Sequence, residues 1–288
     1  MTDIGRVGVW SRELRFHADR AAAADAAAEL EELGFGALFI PDVGGDVLGA
    51  VEEMLAATRT IPVVTGILNI WMHEPEAIAA GVEEIERRHP GRFLVGLGAS
   101  HESVVNADGV DRYARPLSAM RAYLDALDAA PTPLPPRRRV LAALGPRMLE
   151  LSRERSAGAH PYLVPPEHTA IARAALGPER LLAPELSVTL EPCPALARER
   201  ARAFLADYLQ MPNYVNNLRR LGYSDDDLAG AGGDRLLGDL VATGEAAVAA
   251  AVAAHHEAGA DHVCVQVVGA GEALPRDQWR RLAQALLG

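Results

Sequence analysis

Three side chains in this sequence stand where acid–base chemistry is feasible. His101 and His160 each follow a short apolar run that contains glycine, and Asp42 follows another run just before a pair of glycines. An imidazole titrates near neutral pH, so either histidine could donate or accept a proton during a reaction. Each residue also has a structural alternative, because a loop histidine often only satisfies a backbone hydrogen bond and Asp42 could cap a following helix.

Two segments could bind a ligand through their backbone. Around Gly98, Ala99 and Ser100 the small residues would let a planar ring approach the chain, although glycine also serves close strand packing. The run Leu144-Gly145-Pro146 ends an apolar stretch and places proline at the expected first position of a helix. The unpaired amides of a first helical turn attract phosphate, although an ordinary turn between a strand and a helix has the same pattern.

Other familiar chemistries find little support. The two cysteines, Cys193 and Cys264, form no CxxC pair, and no histidines have the spacing of a helical HExxH zinc motif. Ser100 and His101 are adjacent, and adjacent side chains on an extended segment diverge, which disfavours a serine nucleophile activated by that histidine. We therefore predict no metal site and no hydrolase.

Composition limits the class of partner. The chain has 288 residues, of which 49% are hydrophobic and 23% charged, and this predicts one folded domain over residues 1–288. Its net charge of -11 disfavours nucleic-acid binding, and the basic run from Arg137 to Arg139 predicts a solvated loop. We expect no secretory leader, because the first residues lack an apolar core, and no apolar stretch is long enough to predict a membrane-spanning helix. We expect a cytoplasmic protein with a small-molecule substrate and neither a nucleic-acid nor a membrane partner.

Eight short apolar runs alternate with helical patterns and are predicted to be strands: Val7 to Trp10, Ala37 to Ile40, Pro62 to Leu68, Phe93 to Leu97, Val140 to Ala143, Gly158 to His160, Leu186 to Leu190 and His262 to Val267. This alternation is typical of parallel βα units and predicts an α/β fold, a (β/α)8 TIM barrel. The loops after the strands of such a barrel meet at one rim, where functional side chains concentrate. That rim would collect Asp42, Asn69, Ser100, His101, Gly145, His160 and Tyr162.

The predicted helices carry recognisable start and stop signals. Proline stands at the first position of four of them, at Pro75, Pro116, Pro146 and Pro166. An alanine-rich helix from Ala21 to Leu33 is predicted to end at Gly34 in a left-handed cap. The alternation fails at residues 207–243, where short helices are predicted at Tyr214 to Leu221 and at Asp234 to Leu240. This helical insertion before the last strand is either a mobile lid or a packed structural element.

Four segments resemble the bacterial luciferase-like oxidoreductases: Val64 to Asn69, Gly96 to His101, Leu144 to Leu151 and Gly158 to Tyr162. The resemblance spans nearly the whole chain and is strongest to the actinobacterial branch that uses the deazaflavin coenzyme F420. It implies hydride transfer between F420 and a small organic substrate, and assembly as a homodimer.

The resemblance also assigns roles within the site. It implies a cis peptide bond between Gly66 and Ile67 behind the cofactor ring, Asp42 at the reacting face, and the amides near Gly145 at the cofactor phosphate. The implied cofactor-binding set is Asp42, Gly66, Ile67, Asn69, Gly98, Ala99, Ser100, His101, Leu144, Gly145 and Pro146. The resemblance leaves His101, Asp42 or His160 as the residue that transfers the proton. It implies that His160 and Tyr162 line the substrate pocket.

Two departures from the family pattern leave other functions open. Val43 stands where some dehydrogenases of the family have a catalytic histidine, and His101 stands in place of their glutamate, which argues against alcohol oxidation. One alternative is an FMN-dependent monooxygenase, in which reduced flavin reacts with oxygen. The other is a non-catalytic barrel that only binds its cofactor.

Overall fold

The framework of the fold is one sheet of parallel strands, seen in a computed structural model that describes residues 2–269, 271 and 273–288. The strands in these residues are β1 (Val7–Trp10), β2 (Leu38–Ile40), β3 (Val63–Thr65), β4 (Leu68–Asn69), β5 (Phe93–Gly98), β6 (Arg139–Leu141), β7 (Gly158–Ala159), β8 (Leu181–Leu182), β9 (Glu185–Thr189), β10 (Val241–Thr243) and β11 (Val263–Val267). Their hydrogen-bonded order is β10-β9-β11-β1-β2-β3-β5-β6-β7-β8, with β4 paired to β5, and each pairing is parallel. The predicted α/β class with a parallel sheet is confirmed.

The end strand β8 is connected through the chain itself to β9, the second strand at the other end of this order. Only Ala183 and Pro184 separate β8 from β9. Ala183 N donates to Ala159 O at 2.9 Å on the β7 side, and Cys264 N donates to Pro184 O at 3.0 Å on the β11 side. Backbone hydrogen bonds therefore continue on both sides of the joint.

The strands bury side chains on both faces of the sheet. One face forms a cluster that includes Trp10, Phe39, Val64, Leu94, Val140 and Cys264. Their chain neighbours pack on the other face with the helices, among them Val9, Leu38, Val63, Val95, Leu141 and Val263. Strands buried on both faces are continuous apolar runs, which is why the sequence indicated them. Each of the eight predicted runs overlaps an observed strand, whereas the short strands β8 and β10 were not predicted.

Helices accompany the sheet, and most of them pack against one of its faces. In the described residues they are α1 (Arg12–Phe16), α2 (Arg20–Glu32), α3 (Val47–Ala57), α4 (Pro75–Arg88), α5 (Glu102–Val105), α6 (Pro116–Ala129), α7 (Pro146–Arg155), α8 (Pro166–Leu176), α9 (Pro194–Tyr208), α10 (Pro212–Arg220), α11 (Asp225–Leu228), α12 (Asp234–Leu240), α13 (Glu245–Glu257) and α14 (Arg276–Leu286). The four predicted proline starts are confirmed in α4, α6, α7 and α8, and Gly34 follows α2 with a φ of 92°. None of the described helices combines the length and apolarity needed to cross a membrane.

Helices α9 to α12 precede β10 and pack around an apolar cluster of their own. Tyr214, Leu218, Leu236 and Leu240 are buried in this cluster. The short helices predicted within residues 207–243 correspond to α10 and α12. Their burial favours the packed alternative over a mobile lid.

The predicted solvated loop at Arg137 to Arg139 is wrong for two of its three residues. Arg139 is fully buried, donates to two backbone carbonyls and pairs with Asp128 at 2.8 Å. Arg138 is largely covered and pairs with Glu86 at 3.0 Å. A guanidinium tolerates burial when carbonyls and carboxylates accept hydrogen bonds from its donors. The partner Glu86 lies 52 residues from Arg138 in sequence, so the local sequence pattern could not indicate this ion pair.

The carboxylate of Glu31 fixes the segment between α3 and β3. It accepts hydrogen bonds from the amides of Arg59, Thr60 and Ile61. Burial by itself would raise the pKa of Glu31, but these amide donors and the Thr60 hydroxyl lower it from 4.5 to about 2. The folded state therefore favours the ionised form.

Glu31→Gln should destabilise the fold at neutral pH by about 1–3 kcal/mol, because a neutral amide oxygen accepts these bonds less strongly. Because folding lowers the pKa of Glu31, its ionised carboxylate stabilises the folded state fully at pH values above the unfolded pKa of 4.5. This stabilisation is lost as the pH falls toward 2. The difference between the two proteins in urea unfolding should therefore shrink over this range. The exposed neighbour provides the matched control Glu32→Gln, and a difference for Glu31→Gln that does not change with pH would contradict the assignment.

Candidate active site

A cavity of about 390 Å³ lies where the strands β1 to β7 end. The predicted site residues that line it are Asp42, Gly66, Ile67, Ala99, Ser100, His101, Leu144, Gly145, His160 and Tyr162. Three other predicted residues, Asn69, Gly98 and Pro146, lie outside this lining. Most of the residues chosen from the strand ends are therefore brought together at one place.

The backbone between β3 and β4 forms part of the cavity wall. The peptide bond between Gly66 and Ile67 is cis, as the resemblance implied. Trp10 Nε1 donates to Gly66 O at 2.9 Å, and a Cβ on Gly66 would lie 2.7 Å from that same nitrogen. Glycine is needed at this position because the Trp10 ring, which sequence analysis missed, approaches so closely.

Gly98 has a different role from the predicted one. A Cβ at this position would overlap the side chain of Ile67, so the glycine makes room for Ile67 rather than for a ligand. Asn69 is fully buried, and its Oδ1 accepts from Trp71 N at 3.1 Å. Pro146 is exposed one residue beyond the lining residue Gly145. None of these three residues lines the cavity.

Asp42 is held by three donors. Its Oδ2 accepts from Asn69 N at 3.0 Å and from His73 Nε2 at 2.7 Å, and its Oδ1 accepts from Gly44 N at 3.3 Å. The N-cap of α3 is Asp46, so the helix-cap alternative for Asp42 is excluded. Sequence analysis missed His73, whose only signal was its position in the loop after the third predicted strand.

His101 is a half-buried imidazole held by α10. Its Nδ1 lies 2.9 Å from Asn213 Oδ1, and its ring packs against Tyr214 with centroids 5.0 Å apart. With an amide oxygen as partner, Nδ1 carries the hydrogen and Nε2 carries the lone pair. Burial lowers the pKa of His101, partly offset by the Asn213 hydrogen bond. The side chain is thus a neutral base at neutral pH.

His160 lines the cavity as a buried neutral imidazole. It is 1% exposed, and its Nδ1 donates to Ala183 O at 2.7 Å. Burial lowers its pKa to about 4. Nε2 therefore carries a lone pair, and it has no hydrogen-bond partner among the described residues. An acceptor in this state is suited to a ligand N–H or O–H.

A tyrosine cluster forms the side of the cavity nearest β9 and β11. Tyr162 donates to Gln266 Oε1 at 2.6 Å and accepts from the Tyr208 hydroxyl at 2.8 Å. Tyr208 packs edge-on against Tyr214 at 5.4 Å. Burial raises the pKa of Tyr208 to about 12 and that of Tyr162 well above its ordinary value, so both hydroxyls stay protonated. Tyr162 was predicted to line the pocket. Tyr208 and Tyr214 were not, because they belong to α9 and α10, and the sequence did not indicate where these helices pack.

The rest of the lining is mostly apolar. Among the described residues, Asp42 and Arg12 are the lining side chains that carry charge at neutral pH. No group of three or more histidine, cysteine, aspartate or glutamate side chains in the described ranges is arranged to hold a metal ion. A ligand in this cavity would therefore be held by shape, by stacking and by a few hydrogen bonds.

Comparison with known proteins decides the family. The sequence model described as luciferase-like monooxygenase matches residues 5–262. The chain belongs to the luciferase-like monooxygenase family. This confirms the resemblance that the strand-end segments indicated.

A curated relative of this luciferase-like chain is a Mycobacterium tuberculosis protein whose name assigns it provisionally to the coenzyme F420-dependent oxidoreductases. The two are 26% identical over 122 residues, which are 42% of this chain and 33% of the relative. The match thus spans about a third of the length of that relative.

Solved structures resemble the luciferase-like chain over 98% of its length. They include the F420-dependent tetrahydromethanopterin reductase of Methanopyrus kandleri (TM-score 0.77, 16% identity, 98% of that chain) and an F420-dependent secondary alcohol dehydrogenase with an F420-acetone adduct (0.75, 12%, 98%). The oxygenating constituent of 3,6-diketocamphane monooxygenase from Pseudomonas putida, in complex with FMN, also matches (0.67, 12%, 98%). At these identities the likeness shows a shared fold.

The imidazole of His160 should remain neutral until the pH falls to about 4, because burial disfavours its charged form. An NMR titration of the histidine ring signals measures this, with the His160 signals assigned by their loss in His160→Gln. Protonation near pH 6.5, the ordinary pKa of a histidine, would contradict the buried neutral state.

Proposed function

We propose that this luciferase-like protein is an oxidoreductase that binds coenzyme F420 in the cavity and transfers a hydride between the deazaflavin and a small organic substrate. The observation that carries the proposal is the cavity itself, which combines small residues at the strand ends with the unpartnered Nε2 of His160. The family match and the F420-dependent relatives support the choice of cofactor.

The residues present fit a flat tricyclic ring. Gly66 and Ile67 form one wall, and the small side chains of Ala99, Ala142 and Ala143 leave room beside it. The lone pair on His160 Nε2 offers an acceptor to a donor on the ring or on the substrate. A volume of about 390 Å³ is within the usual range of small-molecule sites.

When bound, the deazaflavin supplies the carbon that gives or takes the hydride, and the protein supplies the proton chemistry. His101 is our candidate for that proton, since Asn213 fixes its tautomer and leaves Nε2 as a base. Asp42, with three donors on its carboxylate, positions the loops after β2 and β4. Val43 lines the cavity without a titratable group, which weighs against the histidine-dependent alcohol chemistry of some relatives.

We further infer that the sheet closes as the predicted (β/α)8 barrel. The joint between β8 and β9 supports this, because the seventh barrel strand would then run from Leu181 to Thr189. The segment from α10 to β10, which lies within the predicted residues 207–243, would be the helical insertion before the last strand. The homodimer and the cytoplasmic location stay predictions.

An FMN-dependent monooxygenase is the second candidate. The fold likeness to an FMN-bound monooxygenase favours it. Oxygen consumption distinguishes the two functions, since deazaflavins react poorly with oxygen. Product formation that requires both reduced FMN and oxygen would replace the F420 proposal with this one.

The purified protein should bind F420 more tightly than FMN. Fluorescence titration with each cofactor measures this, and the pigment that copurifies from a deazaflavin-producing host gives an independent readout. Tighter binding of FMN would favour the monooxygenase, and binding of neither cofactor would defeat both candidates.

Replacing His101 by Ala should reduce turnover by about 10²- to 10⁴-fold, because the proton acceptor is lost, while F420 affinity changes only slightly. The substrate for this assay is the first compound to oxidise or reduce the cofactor in a panel of alcohols, aldehydes and ketones. His89→Ala is the control, because His89 ends α4 outside the cavity lining. Unchanged turnover in His101→Ala would reject the assignment, and cofactor binding without turnover by the wild type would favour the non-catalytic barrel.

A further inference from the structure

One buried carboxyl group next to the cavity residues has no part in the chemistry proposed above. Glu185 is the first residue of β9 and is 1% exposed. Its Oε1 accepts from the Ser187 hydroxyl at 2.7 Å, and its Oε2 accepts from the Leu163 amide at 3.1 Å. Both donors are neutral, so they offset only part of the cost of removing a carboxylate from water. The bond to Leu163 reaches the segment of chain that carries the cavity residue Tyr162.

Leu163 has a backbone conformation that needs support. Its φ is 55°, which is in the left-handed region and unfavourable for a residue with a Cβ. The hydrogen bond from Leu163 N to Glu185 Oε2 stabilises the chain in this conformation. Leu163 is 2% exposed, which leaves little room for water to replace the carboxyl group as acceptor. The left-handed turn at Leu163 therefore depends on Glu185.

This turn determines where Tyr162 lies. Glu185 N donates to Pro161 O at 2.9 Å, so the main chain and the side chain of Glu185 hold the residues on both sides of Tyr162. The Tyr162 ring packs against Trp10 with centroids 5.6 Å apart, and its hydroxyl donates to Gln266 Oε1. Both of these contacts require the backbone of Tyr162 to stay in its present place.

We propose that Glu185 is a positioning residue, whose carboxylate holds the turn at Leu163 and thereby sets the place of Tyr162 in the cavity. An ionised carboxylate accepts an amide hydrogen more strongly than a neutral acid does. The turn is therefore held most firmly when Glu185 is charged. The inference rests on the proposed function only for the identity of the ligand that Tyr162 contacts.

Glu185 changes its charge close to neutral pH. Burial raises the pKa of Glu185 to about 7, an effect that the Ser187 hydroxyl and the Leu163 amide partly offset. The titratable or charged side chains near Glu185 or near the tyrosines beside it are Tyr162, Tyr208, Tyr214, Cys264, His160, His101, Arg12 and Asp207.

The charges of these neighbours stay constant near pH 7. Burial raises the pKa of the three tyrosines and of Cys264, lowers that of His160 to about 4 and lowers that of His101 from 6.5. An arginine and an aspartate keep their charge near neutral pH. A change centred near pH 7 in this part of the cavity therefore reports the ionisation of Glu185.

The indole N–H of Trp10 should report the position of Tyr162 in the protein without any ligand. The chain has three tryptophans, and the loss of one indole NMR signal in Trp10→Phe assigns it. Because the Tyr162 ring packs against the Trp10 ring, this signal should shift as the pH passes through about 7 in the wild type. In Glu185→Gln, which has the same shape and no charge, the shift near pH 7 should be absent.

Ser187→Ala is the matched control, because it removes the other hydrogen bond of the same carboxyl group and leaves the Leu163 bond in place. The Ser187 hydroxyl lowers the pKa of Glu185, so the midpoint of the Trp10 shift should move to higher pH in this variant. A residue that served only to fill space would not produce this displacement.

Leu163→Gly tests the turn itself. Glycine adopts a positive φ without strain, so Glu185→Gln should displace the Trp10 signal less in this background than in the wild type. Urea unfolding of each variant checks that the fold is intact. An equal displacement in both backgrounds would show that Glu185 does not act through the turn.

Ligand affinity gives the functional readout. Glu185→Ala should weaken F420 binding by about tenfold, the usual effect of losing one hydrogen bond to a charged group. Glu185→Gln should lose less affinity, because its amide oxygen can still accept from Leu163 N. Fluorescence titration of the full-length protein measures both variants without turnover.

Two results would overturn the positioning role: a Trp10 signal that does not change near pH 7 in the wild type, or a change that persists in Glu185→Gln. Since the NMR measurement needs no ligand, it separates this inference from the proposed function. A Trp10 shift that disappears in Glu185→Gln, in a protein with no affinity for F420 or FMN, would keep the positioning role and reject the cofactor proposal. Equal F420 binding by the wild type and Glu185→Ala, with an unmoved Trp10 signal, would do the reverse.

Discussion

The buried carboxylate of Asp42 fixes the ends of two strands relative to each other. A carboxylate inside a protein needs donors to offset the loss of water, and the backbone amides of Gly44 and Asn69 and the ring of His73 supply them. Asn69 comes two residues after Ile67, so the same hydrogen bonds hold the wall of the cavity in place. The shape of the site thus depends on one carboxylate whose partners come from the loop after β2, from the end of β4 and from the loop after β4.

Most of the sheet could be predicted because burial on both faces gives each longer strand an uninterrupted apolar sequence. The strands β8 and β10 were missed because of their position rather than their length, since β7 also has two residues. Only Ala183 and Pro184 separate β8 from β9, and β10 follows α12 without a break. Arg139 shows a different limit. Its sequence neighbours suggest solvent, whereas carbonyls and a carboxylate from other elements make its burial stable.

Asp42, His101 and His160 could be predicted because residues that follow parallel strands lie at the same edge of the sheet, and functional side chains concentrate there. It could not identify His73 or Tyr214, whose places depend on how a loop and α10 pack against the sheet. Gly98 shows why composition alone misleads: a glycine indicates that something approaches closely, but not whether it is a ligand or a neighbouring side chain. The polar residues at the strand ends were therefore easier to predict than the shape of the cavity that they line.

The cavity is assembled from two parts that contribute different things. The strand ends carry His160 and the Gly66–Ile67 wall, whereas α9 and α10 carry Tyr208, Asn213 and Tyr214. The helical part packs around an apolar cluster that is distinct from the one between the sheet and the other helices. Exchanging helices α9 and α10 between members of the family would therefore change which ligands fit the cavity. The residues at the strand ends would stay the same.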